Sequence, residues 1–157
     1  MKALIIYISI HHGNTKKIGK AMADVLGGEL VRPGEVNINK LSEYDLIGFG
    51  SGVYFGKHHR SLLNFVDELP VLKDKKVFIF STSGMRNGIL QFRSGGNFNR
   101  PVKEKMLGKG FDIIREFSCR GLNTYGPFKL IGGISKGRPN EKDLGNAINF
   151  ATGLRNI

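Results

Sequence analysis

A single cysteine, Cys119, and no tryptophan occur in the 157 residues. One thiol cannot close an internal disulfide, and no C-x-x-C pair is available for a redox or zinc site. Long apolar runs are missing as well. The longest, Ala3 to Ile8, is far short of the ~20 residues that cross a bilayer, so no membrane insertion is expected. No basic leader with a cleavage site precedes it, which argues against export and makes a reducing cytoplasm the expected location. Acid is scarce: 13 Asp and Glu stand against 24 Lys and Arg, a net charge of +11 with a pI near 10. The excess recurs in Lys57 to Arg60, Lys73 to Lys76, Arg86 to Lys109 and Lys129 to Arg138. Such a field speeds encounter with anionic partners. It carries no recognised nucleic-acid motif, so a solvated basic surface outweighs a specific nucleic-acid site.

The most informative stretch is Lys2 to Ala21. An apolar run breaks at a small polar loop and resumes at helical spacing, the pattern of a buried parallel strand feeding a helix. In the loop, Ser9-Ile10-His11-His12-Gly13-Asn14-Thr15, Gly13 permits a tight turn and Asn14 or Thr15 is placed to cap the helix. The first backbone N–H groups of such a helix attract an anion, most often a phosphate. The loop matches neither G-x-x-x-x-G-K-[ST] nor G-x-G-x-x-G.

Further along, Ile18, Met22, Val25 and Leu26 continue the helix and Gly27-Gly28 stops it. Glu29 to Arg32 reads as a short edge strand, Asn37 to Tyr44 holds one helical turn, and Asp45 to Gly50 is a central buried strand. A helix over Ser61 to Leu69 ends at Pro70, and Lys76 to Ser81 is the next buried strand. Pro101 to Leu107 is helical, Asp112 to Phe117 is a fifth strand, and Glu141 to Leu154 is a final helix entered through Pro139-Asn140. The alternation predicts one α/β domain over 1–157, a parallel sheet wrapped on both faces. Two long loops, Gly84 to Arg100 and Gly121 to Pro139, leave carboxyl ends of strands, where open α/β sheets bind ligands.

The S-x-x-x-G-N-T spacing of Ser9 to Thr15 directly after the first strand resembles the phosphate loop of flavodoxins, with His11 and His12 where threonines are usual. Either the imidazoles or further backbone amides would then supply donors, and a histidine near its unperturbed pKa of ~6.5 adds partial positive charge. The resemblance covers essentially the whole chain. It implies a flavodoxin-like three-layer sandwich with a five-stranded parallel sheet of order 2-1-3-4-5, binding flavin mononucleotide (FMN) non-covalently.

Two further loops acquire roles from this resemblance. Ser51-Gly52-Val53-Tyr54-Phe55-Gly56-Lys57-His58 would run beside the isoalloxazine ring, with Tyr54 or Phe55 stacked on it unless they are ordinary core or surface aromatics. Gly56, free to adopt positive φ, would let a neighbouring carbonyl approach the flavin N5. Thr82, Ser83, Gly84 and Met85 would meet the polar edge of the ring. Met85, Phe92 and Phe98 are the candidates for a second aromatic or apolar cover, and a poorly covered face would suit an approaching partner. Cys119 reads as a small buried thiol, or as an activated one if it lies at the crevice beside Arg120. Lys136-Gly137-Arg138 is either an anion contact or a charged turn.

Two functions follow from the resemblance. One is an electron carrier exchanging with redox partner proteins that present acidic docking surfaces, a choice suited to a chain more basic than many flavodoxins. The other is an FMN-dependent quinone or protoporphyrinogen dehydrogenase, since Gly52 to His59 resembles the G-x-x-x-Y-G-x-x-H region of that family. A phosphate-accepting receiver domain is excluded, because Ser9 and Ser51 stand where its metal-binding acids would be.

Overall fold

The computed structural model describes residues 1–84 and 98–157. Five parallel strands form the sheet: β1 (Ala3–Ile8), β2 (Glu29–Val31), β3 (Leu46–Tyr54), β5 (Lys76–Ser83) and β6 (Asp112–Arg120). Their order is β2-β1-β3-β5-β6, and the two-residue β4 (Lys57–His58) adds antiparallel to the end of β3. Leaving β4 aside, this is the expected order 2-1-3-4-5. Helices α1 (Asn14–Leu26) and α4 (Glu141–Leu154) cover one face, and α2 (Arg60–Glu68) with α3 (Arg100–Gly108) covers the other.

Period-two alternation assigns the strand side chains to the layers. Leu4, Ile6, Ile47, Phe49, Val77 and Ile79 pack with Leu62, Val66, Val102 and Met106 from α2 and α3. Ala3, Ile5, Tyr7, Phe78 and Phe80 pack with Ile18, Met22, Ala147 and Ala151 from α1 and α4. Because β1, β3 and β5 are buried on both faces, their sequences read as apolar runs.

Three strands outlast their expected ends, since β3 runs to Tyr54, β5 to Ser83 and β6 to Arg120. The polar residues at these ends keep their backbone in the ladder: Gly52 pairs with Thr82, and Thr82 with Cys119. Two 3₁₀ segments, Pro33–Glu35 and Ile38–Glu43, fill the connection read as a turn and one helical turn. A third, Gly126–Ile131, lies within the long segment after β6.

Glycine is used inside β3 for close approach. Gly48 and Gly50 pair in register with Phe78 and Phe80, and those phenylalanine rings lie over them. A Cβ on Gly50 would come within 2.2 Å of the Phe80 ring, and one on Gly48 within 2.3 Å of Phe78. Gly50→Ala should therefore destabilise by about 1–3 kcal/mol through overpacking. Equilibrium urea unfolding of Gly50→Ala, Phe80→Leu and the double variant should give a double-variant loss smaller than the sum of the singles.

Candidate functional site

The loop after β1 places two residues in the left-handed region, His12 at φ 58° and Gly13 at φ 67°. Gly13, not Asn14 or Thr15, is the N-cap of α1. It makes no side-chain capping bond, and the first turn contains no acid. The expected capping side chains turn elsewhere: Asn14 Nδ2 donates to the Leu122 carbonyl at 2.8 Å, and the Thr15 and Thr82 hydroxyls share a 2.8 Å hydrogen bond. The opening amides of a thirteen-residue helix are thus left to an outside acceptor. Beside them Ser9 Oγ is buried without a hydrogen-bond partner among the described residues. An orphaned hydroxyl next to an uncapped, acid-free helix start is a donor set suited to a phosphate.

A crevice opens here at the carboxyl ends of β1, β3 and β5. It is lined by Ser9, Ile10, His11, Asn14 and Thr15 from the first loop, Gly52 and Tyr54 from β3, and Thr82, Ser83 and Gly84 from the third. Ten of the residues selected from sequence therefore share one wall system. His12, Gly13, Ser51, Val53, Phe55 and Gly56 do not line it, and Met85, like Phe92, lies outside the described residues. His12 instead shares a 2.8 Å hydrogen bond between its Nε2 and Thr124 Oγ1.

Leu122 and Asn123 complete the lining. Both belong to the long segment after β6, which the sequence marks as a functional loop without singling out residues. The segment folds back on itself and across the crevice. Asn123 bridges Ile134, Ser135 Oγ donates to the Gly84 carbonyl at 2.8 Å, and Gly121 approaches Asn14 so closely that a Cβ would meet its amide at 2.6 Å.

The stretch expected as a loop over Ser51 to His58 is a β-hairpin. Phe55 and Gly56, at φ 50° and 81°, form its two-residue turn between β3 and β4. Positive φ at both central residues matches the twist of the paired strands. Its ring side chains part company: Tyr54 is half-buried at the crevice, edge-on to His11 at 6.3 Å and His59 at 5.3 Å, whereas Phe55 is 83% exposed and edge-on to Tyr125 at 5.7 Å. Phe98 is buried and offers the crevice no cover.

Behind the hairpin runs a buried polar chain. His58 is 1% exposed; its Nδ1 lies 2.8 Å from Ser51 Oγ and its Nε2 2.8 Å from Asn99 Oδ1. Asn99 Nδ2 donates to Glu116 Oε2 at 2.8 Å, and Glu116 Oε1 accepts from Lys103 Nζ at 2.6 Å. The carboxylate fixes the amide orientation, so Asn99 presents its oxygen to His58. The imidazole is then the Nε2–H tautomer and its Nδ1 accepts a hydrogen bond from Ser51 Oγ, which also has the Gly52 carbonyl at 2.9 Å. Ser51 Oγ in turn accepts from the His59 amide at 3.0 Å. Ser51 is thereby committed to the interior.

Burial pushes the His58 pKa down to about 4, against weaker upward contributions from the Asn99 hydrogen bond and the Glu116 charge. Burial also lowers His59, with the His11 charge adding to it. Cys119 is not activated: burial, with a contribution from Asp143, pushes its thiol up to about 12. Arg138 is tied to Asp143 at 2.5 Å, so the Lys136-Gly137-Arg138 turn is anchored to the start of α4 through its arginine.

The comparisons with known proteins agree with this architecture. A family model described as a flavodoxin domain matches residues 4–108. This chain belongs to the flavodoxin family. An uncharacterized protein of Methanocaldococcus jannaschii is 47% identical over 154 residues, covering 98% of each chain. Among solved structures, an archaeal flavodoxin superposes with a TM-score of 0.71 at 20% identity, covering 99% of this chain and 97% of its own. A WrbA-like flavodoxin of Agrobacterium tumefaciens gives 0.72 at 17%, covering 99% and 95%. The family match ends at α3, so β6, the segment after it and α4 lie beyond it.

No helix among the described residues is long and apolar enough to cross a membrane. None of their His, Cys, Asp and Glu side chains gathers into a metal-binding group of three.

His58 has a signature in stability. Its folded pKa lies below the unfolded value of 6.5, so the unfolded chain binds the extra proton between the two. The stabilisation is complete above pH ~6.5 and is lost as pH falls toward 4, by about 3 kcal/mol over the interval. Urea unfolding between pH 7 and pH 4.5 should show this slope, and His58→Asn should flatten it.

Proposed function

We propose that this flavodoxin-family chain binds FMN non-covalently in the crevice and carries electrons between redox partner proteins in the cytoplasm. The observation that supports it most is the start of α1: Gly13 at positive φ, no side-chain cap, no acid in the first turn, and the partnerless Ser9 hydroxyl beside it. A phosphate monoester satisfies all of these at once, and the helix dipole adds to the attraction. In this reading Ser9 and the backbone amides opening α1, those of Asn14 and Thr15, hold the phosphate, and His11 adds a donor at the crevice edge. Tyr54 flanks the ring, while Thr82, Ser83 and the Gly84 amide meet its polar edge.

Bound flavin supplies reversible one- and two-electron transfer, chemistry the protein side chains lack. The protein orients the cofactor, excludes water from one face through Tyr54, and leaves the mouth open to a partner. Lys16, Lys17 and Lys57 are exposed around that mouth, and their charge favours the more negative reduced states.

Adding FMN to the flavin-free protein should shift the visible flavin bands and quench flavin fluorescence with one-to-one stoichiometry. Ser9→Ala should weaken binding by about tenfold, the loss of one hydrogen bond to a charged group. Stepwise reduction through two separate one-electron stages supports the carrier. Rapid turnover with a quinone or porphyrinogen would replace it with the oxidoreductase reading, and absence of FMN binding would overturn both.

A further inference from the structure

Acidic residues are scarce at the crevice end of the molecule. No Asp or Glu occurs in 1–23, 46–66, 75–103 or 117–140, the stretches that include the loops after β1, β3, β5 and β6. Acid collects instead at the other end of the sheet, in Asp24, Glu29, Glu43, Asp45, Asp67, Glu68, Asp74 and Asp112, which begin strands or end helices. Of the acids nearest the crevice end of β6 and the start of α4, Glu116 is matched by Lys103 and Asp143 by Arg138, which leaves Glu141, exposed at the first position of α4. Lys57, Arg60, Lys129 and Lys136 are exposed on the crevice side, and no salt bridge among the described residues uses them.

Exposed apolar side chains gather at the same end. Of ten large hydrophobic residues exposed among the described residues, five lie on these loops: Ile10, Phe55, Tyr125, Leu130 and Ile131. Leu130 is 90% exposed and Ile131 63%, both on the 3₁₀ segment that Tyr125 caps. Tyr125 joins that segment to the hairpin through its contact with Phe55. The patch is held in place. Gly133 N–H donates to the Phe128 carbonyl at 2.7 Å, Tyr125 N–H donates to Asn123 Oδ1 at 2.8 Å, and the hairpin rests on the His58 chain. A preformed apolar patch inside a ring of one charge is the anatomy of a recognition surface.

We infer that Phe55, Tyr125, Leu130 and Ile131, ringed by Lys57, Arg60, Lys129 and Lys136, form the docking surface for a redox protein whose apolar contact is surrounded by carboxylates. The assignment deepens the proposed electron-carrier function and rests on it for the partner's redox character. Charge selects the occupant. A second copy of this chain would set two unmatched cationic rings face to face, an arrangement that costs affinity. A lipid surface would need an extended amphipathic helix, whereas the exposed apolar residues sit on a six-residue 3₁₀ turn and a hairpin tip. An acidic protein answers both the ring and the patch, and seats its redox group over the crevice mouth.

The test uses the full chain and a fluorescently labelled, small acidic iron–sulfur protein as probe, read by anisotropy, with FMN affinity measured in parallel. Lys129→Glu with Lys136→Glu should weaken probe binding about tenfold at low salt, the scale of electrostatic steering. Lys40→Glu with Lys73→Glu, the same change of net charge at the opposite end, should alter it less than twofold. Leu130→Ser with Ile131→Ser should weaken binding at high salt as well as low. None of these lies in the crevice lining, so FMN affinity should stay unchanged in all three. Equal weakening by both charge reversals, or no effect of the serine pair, overturns the docking surface. Binding to anionic phospholipid vesicles that the serine pair abolishes, with no binding to the probe, replaces the protein partner by a membrane. Probe binding is read without the flavin, so a protein that binds probe but not FMN sinks the carrier function and leaves the surface standing.

Discussion

An uncharged imidazole in the interior holds together four pieces of chain that are far apart in sequence. His58 sits on β4, accepts a hydrogen bond from Ser51 on β3, and donates to Asn99 at the start of α3, which is itself oriented by Glu116 on β6. Removing one member leaves buried polar atoms unmatched, which costs more than the bond itself returns. The arrangement bears directly on the crevice. It fixes the hairpin whose first strand contributes Tyr54 and whose turn holds Phe55 at positive φ, a conformation costing roughly 1–2 kcal/mol outside glycine. A strained turn persists where its surroundings over-determine it. Here the β3–β4 pairing and the His58 chain do so.

The elements that could be read in the sequence are those decided by local chemistry. Unbroken apolar runs in β1, β3 and β5 report burial on two faces, and the glycines after α1 report its end, so strand and helix placement follow from pattern, whereas the strand order is what the flavodoxin resemblance implies. The loop after β1 is legible for the same reason: Gly13 and the apolar residues around it specify a strand, a turn and a helix in direct succession. Asn14 and Thr15 do not cap α1 because they have better partners across the fold, in Leu122 and Thr82, more than sixty residues away. Propensity for a cap position loses to a buried tertiary hydrogen bond.

Other features depend on pairing that no local window contains. The Lys57-His58-His59-Arg60 run reads as a basic stretch, yet His58 is buried and neutral while its neighbours Lys57 and Arg60 face solvent. What distinguishes them is the two-residue strand β4, which exists only because β3 lies alongside. Leu122, Asn123 and Tyr125 were similarly out of reach. Their segment is irregular in sequence, and its return across the crevice is set by hydrogen bonds to His12, Asn14 and Gly84, partners distributed over the chain. Cys119 shows the converse. Adjacent Arg120 suggests activation, but burial dominates and keeps the thiol protonated.

The distribution of charge completes the physical picture. Open α/β sheets gather their helix N-termini, each with a partial positive charge, at the carboxyl ends of the strands. A chain that also withholds every carboxylate from those loops adds fixed charge to the same pole, so the phosphate and the acidic partner of the proposed function would meet the same sign of charge there. The field acts at two ranges. Amides at the start of α1 act over hydrogen-bond distance and require the exact seat that Ser9 and Gly13 provide. Lysines around the mouth act over a Debye length of ~8 Å at physiological salt, and require only that no acid intervene. In the proposed function, binding of a cofactor and encounter with a partner would therefore be separable properties of one end of the molecule. The first rests on backbone geometry and the second on composition, which is why the loops can be free of acid without disturbing the fold beneath them.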